Sequence, residues 1–145
     1  MCFNACAFTG HRPSKLPWGN DEASPQFLAF RATIETQITA LTERGTANFL
    51  SGMAEGADLV CAEIVLSLRQ KNPAIKLHCI LPFVGQANKW SAFSRERYQA
   101  ALSQADSVIY VSRSGMFHRF RDFSRIKRKL GSPRFVINFS IISKI

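Results

Sequence analysis

No stretch of this 145-residue chain reaches the roughly 18 consecutive apolar residues that a membrane-crossing helix needs, so no transmembrane helix and no membrane partner are expected. Ahead of His11-Arg12 there are only a few apolar residues and no basic stretch, so the first residues read as a strand and not as a secretory signal. The four cysteines, Cys2, Cys6, Cys61 and Cys79, form no CxxC pair, and histidine meets them only at His78-Cys79. That spacing argues against a zinc site or a disulfide framework, and the expectation is buried, reduced thiols in a cytoplasmic protein with no metal and no cofactor. Internal repeats are missing too. Acidic residues are scarce at one end: residues 112–145 hold nine Lys/Arg against one acid, Asp122, a balance of +8. Residues 1–111 hold ten Lys/Arg against nine Asp/Glu, a balance of +1, so the net charge of +9 belongs to the tail. A break this sharp implies that the tail binds a polyanion, or that it was not selected together with the rest of the chain.

What is present is a single domain's worth of alternating patterns, with 46% apolar residues to build a core. Residues 2–9 read as a buried strand, and Pro13, Pro17, Gly19 and Pro25 mark 11–26 as a loop. Phe27, Phe30, Ile34, Ile38 and Leu41 recur at three- and four-residue spacing and predict a helix over 27–44, with Gly45 as its stop. A short strand follows over 46–50. Leu59, Val60, Ile64 and Leu68 form the stripe of a second helix over 56–70. A strand over 75–81 is expected to end at Pro82, followed by a helix over 91–104 and a strand over 106–111. Beyond it, 112–130 is basic and Phe-rich with no clean apolar stripe, and 135–142 is the only further strand candidate. Strands alternating with helices across short loops imply βαβ units and a mostly parallel sheet. Ligands of such sheets bind outside the carboxyl ends of the strands.

Three segments fall at that end. Ser51-Gly52-Met53-Ala54-Glu55-Gly56-Ala57-Asp58 joins the second strand to the second helix. Its two glycines allow a sharp turn or close approach of a ligand to the backbone, and the helix that follows presents N–H groups to an anion. The spacing is neither Walker A nor GxGxxG. Asp58 lies in the helix's first turn, where a carboxylate is favoured by the dipole, so a capping role is the structural alternative. The first strand ends in Phe8-Thr9-Gly10-His11-Arg12-Pro13. There Arg12 has the geometry to grip a phosphate bidentately, and His11 to donate a hydrogen bond or exchange a proton. The alternative is that Arg12 pairs with a surface carboxylate. Pro82-Phe83-Val84-Gly85-Gln86, with Lys89 and Trp90, follows the third strand. Phe83 or Trp90 can stack on a base and Gln86 can read its edge, or the rings can simply pack beneath the loop. No catalytic dyad emerges, because Glu63, five residues after Asp58, need not face the same way; Glu55 is the acid best placed within the turn. In the tail, Phe117-His118-Arg119-Phe120-Arg121 and Arg125-Ile126-Lys127-Arg128-Lys129 interleave rings and cations, a composition that suits nucleic acid or a solvated segment.

Taken together these segments resemble the SLOG superfamily, and within it the DUF1273 (YpsA-like) family of bacterial proteins. The resemblance rests on the two turns above with Lys15-Leu16 and Ala62-Glu63, on Leu81-Pro82-Phe83 with Gln86 and Trp90, and on Arg97-Tyr98 and Ala105-Asp106 up to Val111-Ser112. It covers about three quarters of the chain. It implies a Rossmann-like three-layer α/β sandwich with a mostly parallel sheet, and a nucleotide-derived ligand at the strand ends. Gly10, Arg12, Ser51, Gly52, Gly56 and Asp58 match the family's pocket motifs. With their neighbours they make the candidate ligand-binding set Thr9, Gly10, His11, Arg12, Ser51, Gly52, Met53, Ala54, Glu55, Gly56, Asp58, Pro82, Phe83, Gln86 and Trp90. Family members continue past the fourth strand with a second glycine-rich turn of GGT type, which Gly131-Ser132-Pro133 is not. The expected organisation is therefore a Rossmann-like domain over 1–112, incomplete at its C-terminal end, and an atypical basic tail over 113–145 that is frameshifted, recombined or disordered.

Three functions compete. The favoured one is a non-catalytic sensor of a nucleotide or nucleotide derivative. The second is a nucleotide-processing enzyme like the phosphoribohydrolases of the superfamily, although their PGGxGT-like turn is missing. The third is a single-stranded nucleic-acid binder acting through the tail, since the SG-x-A-x-G-x-D turn also resembles that of the DprA family of DNA-processing proteins. Self-association into a homo-oligomer is expected by the same resemblance.

Overall fold

The computed structural model describes residues 5–112 and the backbone of a strand over 135–138. The expectations for Cys2, for the basic stretch 113–130, for 139–142 and for the nature of the tail lie outside the described residues. Five strands form one sheet in the order β4-β3-β2-β1-β5, with every neighbouring pair parallel. They are β1 (Ala5–Thr9), β2 (Asn48–Ser51), β3 (Lys76–Phe83), β4 (Ser107–Ser112) and β5 (Phe135–Asn138). Three helices connect the first four: α1 (Pro25–Glu43), α2 (Ala57–Arg69) and α3 (Ala92–Gln104). This is the Rossmann-like α/β architecture expected, and the last strand candidate is a strand over its first four residues. The chain lays β2, β3 and β4 down on one side of β1 and β5 on the other. The order therefore switches at β1, which places the crevice of such sheets at the carboxyl end of that strand.

The elements follow from local chemistry. α1 starts two residues earlier than its apolar spacing alone suggests, because Ser24 is an N-cap whose hydroxyl accepts from the Phe27 N–H, and Pro25 occupies the first helical position. It ends in a Schellman arrangement: Gly45, at φ 90°, donates to the Thr42 carbonyl and Thr46 donates to that of Leu41. That closure uses Thr46, so β2 begins only at Asn48. Pro82 does not end β3; the pairing with β4 steps over it, from Leu81–Tyr110 to Phe83–Ser112.

The register aligns Cys6, Phe49 and Leu77 across three strands, all fully buried. α2 lies over β1, β2 and β3, with α1 and α3 packed on its flanks. It contributes Leu59, Cys61, Ile64 and Val65 to the same core. Phe8 stacks on Phe49 at 6.0 Å between centroids. Cys6, Cys61 and Cys79 are buried, as expected for three of the four. Strand alternation separates His78 from Cys79: Cys79 faces the core, while His78 on the opposite face bonds Ser107 at 2.7 Å and Asn48 at 3.0 Å. Among the described residues no helix is long and apolar enough to cross a membrane.

Phe49→Ala removes a fully buried ring and is expected to cost about 3–5 kcal/mol in denaturant unfolding. Leu28→Ala, at a 55% exposed position on α1, should stay within about 0.5 kcal/mol.

Candidate functional site

The turns after β1 and β2 are locked together by backbone. The Ala57 N–H donates to the His11 carbonyl at 3.2 Å. Gly56 makes this approach possible: it sits at φ 103°, and a Cβ there would lie 2.6 Å from the His11 carbonyl oxygen and 3.0 Å from Pro13 Cδ. The left-handed backbone of the β2–α2 turn falls on Gly56 and on Met53, at φ 58°, and not on Gly52. A Cβ on Gly52 would meet Asp58 Oδ2 at 3.5 Å, an ordinary contact. Met53 is fully buried, so its side chain serves the core and holds the strained backbone in place. The buried Ser51 hydroxyl ties the turn internally, accepting from the Met53 N–H and donating to the Asp58 carbonyl, each at 3.1 Å.

Asp58 is strongly perturbed by this packing. Gly56 caps α2 without a side chain, and Asp58 is largely buried behind it. Burial pushes its carboxyl up to about 7, against the pull of the Ala54 and Gly10 backbone amides, which favour the charged form. Its Oδ1 is buried with no hydrogen-bond donor among the described residues. Gln86 Oε1 is in the same condition, while Gln86 Nε2 donates to the Gly52 carbonyl at 3.2 Å. The loop after β3 is thereby joined to the turn after β2. A buried acceptor left unpaired costs about 1–3 kcal/mol, and two on neighbouring loops mark a place where donors are missing.

The other candidate residues spread around this centre. Arg12 is exposed and makes no ion pair among the described residues. His11 is half-buried and Thr9 exposed at the tip of β1. Ala54 and Glu55 are half-buried in the turn, as are Pro82 and Phe83 at the end of β3. Trp90 packs edge-on against Tyr98 at 5.2 Å and leans on the core, the packing alternative for that ring.

Beside this seam, over the amino ends of α2 and α3, lies a cavity of about 210 Å³. Glu55, Gly56 and Pro13 form one wall; Trp18, Glu22, Phe93, Ser94 and Arg97 form others. Arg97 anchors it, with Nε and Nη2 on the two oxygens of Glu63 at 2.8 and 2.6 Å and Nη1 on Glu22 at 2.6 Å. The hydrogen bonds to Glu63 hold its proton more tightly than usual. The guanidinium also lies over the Phe93 ring at 5.3 Å. Trp18, Glu22 and Phe93 are absent from the expected set. Residues 11–26 read as a loop, and only the fold brings that loop to α3. Among the described residues no cluster of His, Cys, Asp and Glu is arranged to hold a metal.

The parallel sheet, the switch at β1 and the glycine-bearing turns at the strand ends define a Rossmann-like α/β protein with its candidate site at the carboxyl edge. Comparison with known proteins refines the class. The model of the YpsA SLOG family matches residues 6–125, and the chain belongs to that family. It is similar to a UPF0398 protein of Bacillus pumilus, 36% identical over 107 residues, covering 73% of this chain and 56% of the relative. A UPF0398 protein of Shouchella clausii is 35% identical over 112 residues, covering 76% and 58%. One from Halalkalibacterium halodurans is 36% identical over 83 residues, covering 57% and 44%. The chain thus spans about half the length of the curated relatives it matches.

Two outcomes follow. Gly56→Ala should destabilise the fold by at least about 1–3 kcal/mol, whereas Gly52→Ala should be close to neutral in the same denaturation series. Asp58 has a folded pKa of about 7, raised from 3.8, so its burial favours the fold most below pH 4 and that advantage disappears as pH rises through 7. Unfolding free energy should fall by up to about 4 kcal/mol across that window, and Asp58→Asn should flatten this part of the profile.

Proposed function

We propose that the chain binds a nucleotide or nucleotide derivative at the carboxyl ends of β1, β2 and β3 and acts as a non-catalytic ligand sensor. The observation that carries the reading is the buried Asp58 Oδ1 with no donor, set between two backbone turns. A ribose hydroxyl supplies that donor. The phosphate takes the charge of Arg12, which has no carboxylate partner among the described residues, next to a helix start that no side chain caps. Family membership supports a ligand-binding role over a purely structural one, and the missing PGGxGT-like turn argues against glycosidic cleavage.

Thermal unfolding with a panel of nucleotides, ADP-ribose and NAD tests this. A ligand at about 100 times its Kd should stabilise the chain by about 2.7 kcal/mol. Arg12→Ala and Asp58→Ala should each abolish the shift. A panel with no shift contradicts the reading, and turnover of a nucleoside monophosphate would make the chain an enzyme instead.

A further inference from the structure

We infer that the cavity between the 13–22 loop and the amino ends of α2 and α3 is the base pocket of this ligand site, and that the base it takes is guanine. The inference rests on the nucleotide reading and deepens it. At about 210 Å³ the cavity is smaller than the roughly 300–1,000 Å³ of sites that enclose a whole drug-sized ligand, so it suits one ring system. Its walls suit a flat ring. Trp18 is held by packing on Phe30 at 4.8 Å between centroids, and Phe93 presents a large ring, 64% exposed, in the first turn of α3.

The charge selects the chemistry. Arg97 is the lining's only cation, and Glu63 and Glu22 occupy all three of its guanidinium nitrogens. Glu55 has no ion-pair partner among the described residues and faces the ligand as a free carboxylate. A phosphate is repelled here, and a ring with N–H donors is favoured. Guanine carries two adjacent donors, the ring N1–H and the exocyclic amine, which match the two oxygens of one carboxylate. Hypoxanthine lacks the amine, and adenine and uracil each set an acceptor beside the donor, where a carboxylate repels it. Continuity supports the assignment: Glu55 and Gly56 belong to the turn that carries Asp58, and Pro13 follows Arg12, so the cavity and the ribose–phosphate end share a wall.

Calorimetric titration of the full chain with GMP, IMP, AMP, UMP and the nucleosides guanosine and inosine tests the assignment. GMP should bind at least tenfold more tightly than IMP, AMP or UMP, and Glu55→Gln should reduce GMP to the level of IMP. Phe93→Ala should weaken GMP several-fold with little change in melting temperature, because the ring is exposed. Equal affinity for the four monophosphates, a guanine preference that survives Glu55→Gln, or no binding by any of them overturns the inference. Tight binding of ADP-ribose or NAD without base discrimination would overturn it and leave the proposed function standing. A guanosine preference over inosine with no gain from the phosphate and no effect of Arg12→Ala would overturn the nucleotide reading and, with it, the place of this cavity in a nucleotide site.

Discussion

Everything at the carboxyl edge of this sheet depends on one close contact between backbones. Gly56 lies where no other residue fits, against the carbonyl of His11, and Ala57 fixes the distance with a hydrogen bond. That contact brings the turn after β1 to the turn after β2. It puts Asp58 within reach of the Gly10 amide, leaves Arg12 at the surface beside the helix start, and forms one wall of the cavity over α2. A side chain at position 56 would separate the two turns and break all three relations.

The rest of the fold holds this contact still. The row Cys6, Phe49 and Leu77 fixes the strands beneath α2, and the buried Met53 keeps the turn in a backbone conformation it would otherwise avoid. Arg97 does the same for the outer loop, tying Glu22 from before α1 to Glu63 on α2 while it stands on α3. Stability and site geometry meet in Asp58. Its burial weakens the free protein as the pH rises through 7, and the same burial makes its carboxyl a strong acceptor for a ligand that brings a donor.

Much of this was legible in the chain because its signals are local. Apolar spacing marked α1 and α2, Gly45 marked the end of α1, and the small-residue turns marked the carboxyl ends of β1 and β2. The local signals that misled were prolines. Pro25 starts α1 instead of closing the loop before it, and Pro82 sits inside β3. Nonlocal relations were not legible. Nothing in the spacing of Trp18, Glu22, Phe93 and Arg97 shows that they line one cavity, because loop closure and helix packing bring them together. Nor does a first-turn aspartate announce that it will be buried with one oxygen lacking a donor; the turn after β1, forty residues and more away in sequence, packs against it and supplies the Gly10 amide.

The most direct test of this account is the titration of the Asp58 carboxyl carbon by NMR, in the free chain and with a saturating nucleotide. The expected result is a pKa of about 7 in the free chain and a lower one in the complex, because a ribose donor stabilises the charged form. An ordinary carboxylate pKa of about 4 in the free chain, unmoved by any nucleotide, would contradict it.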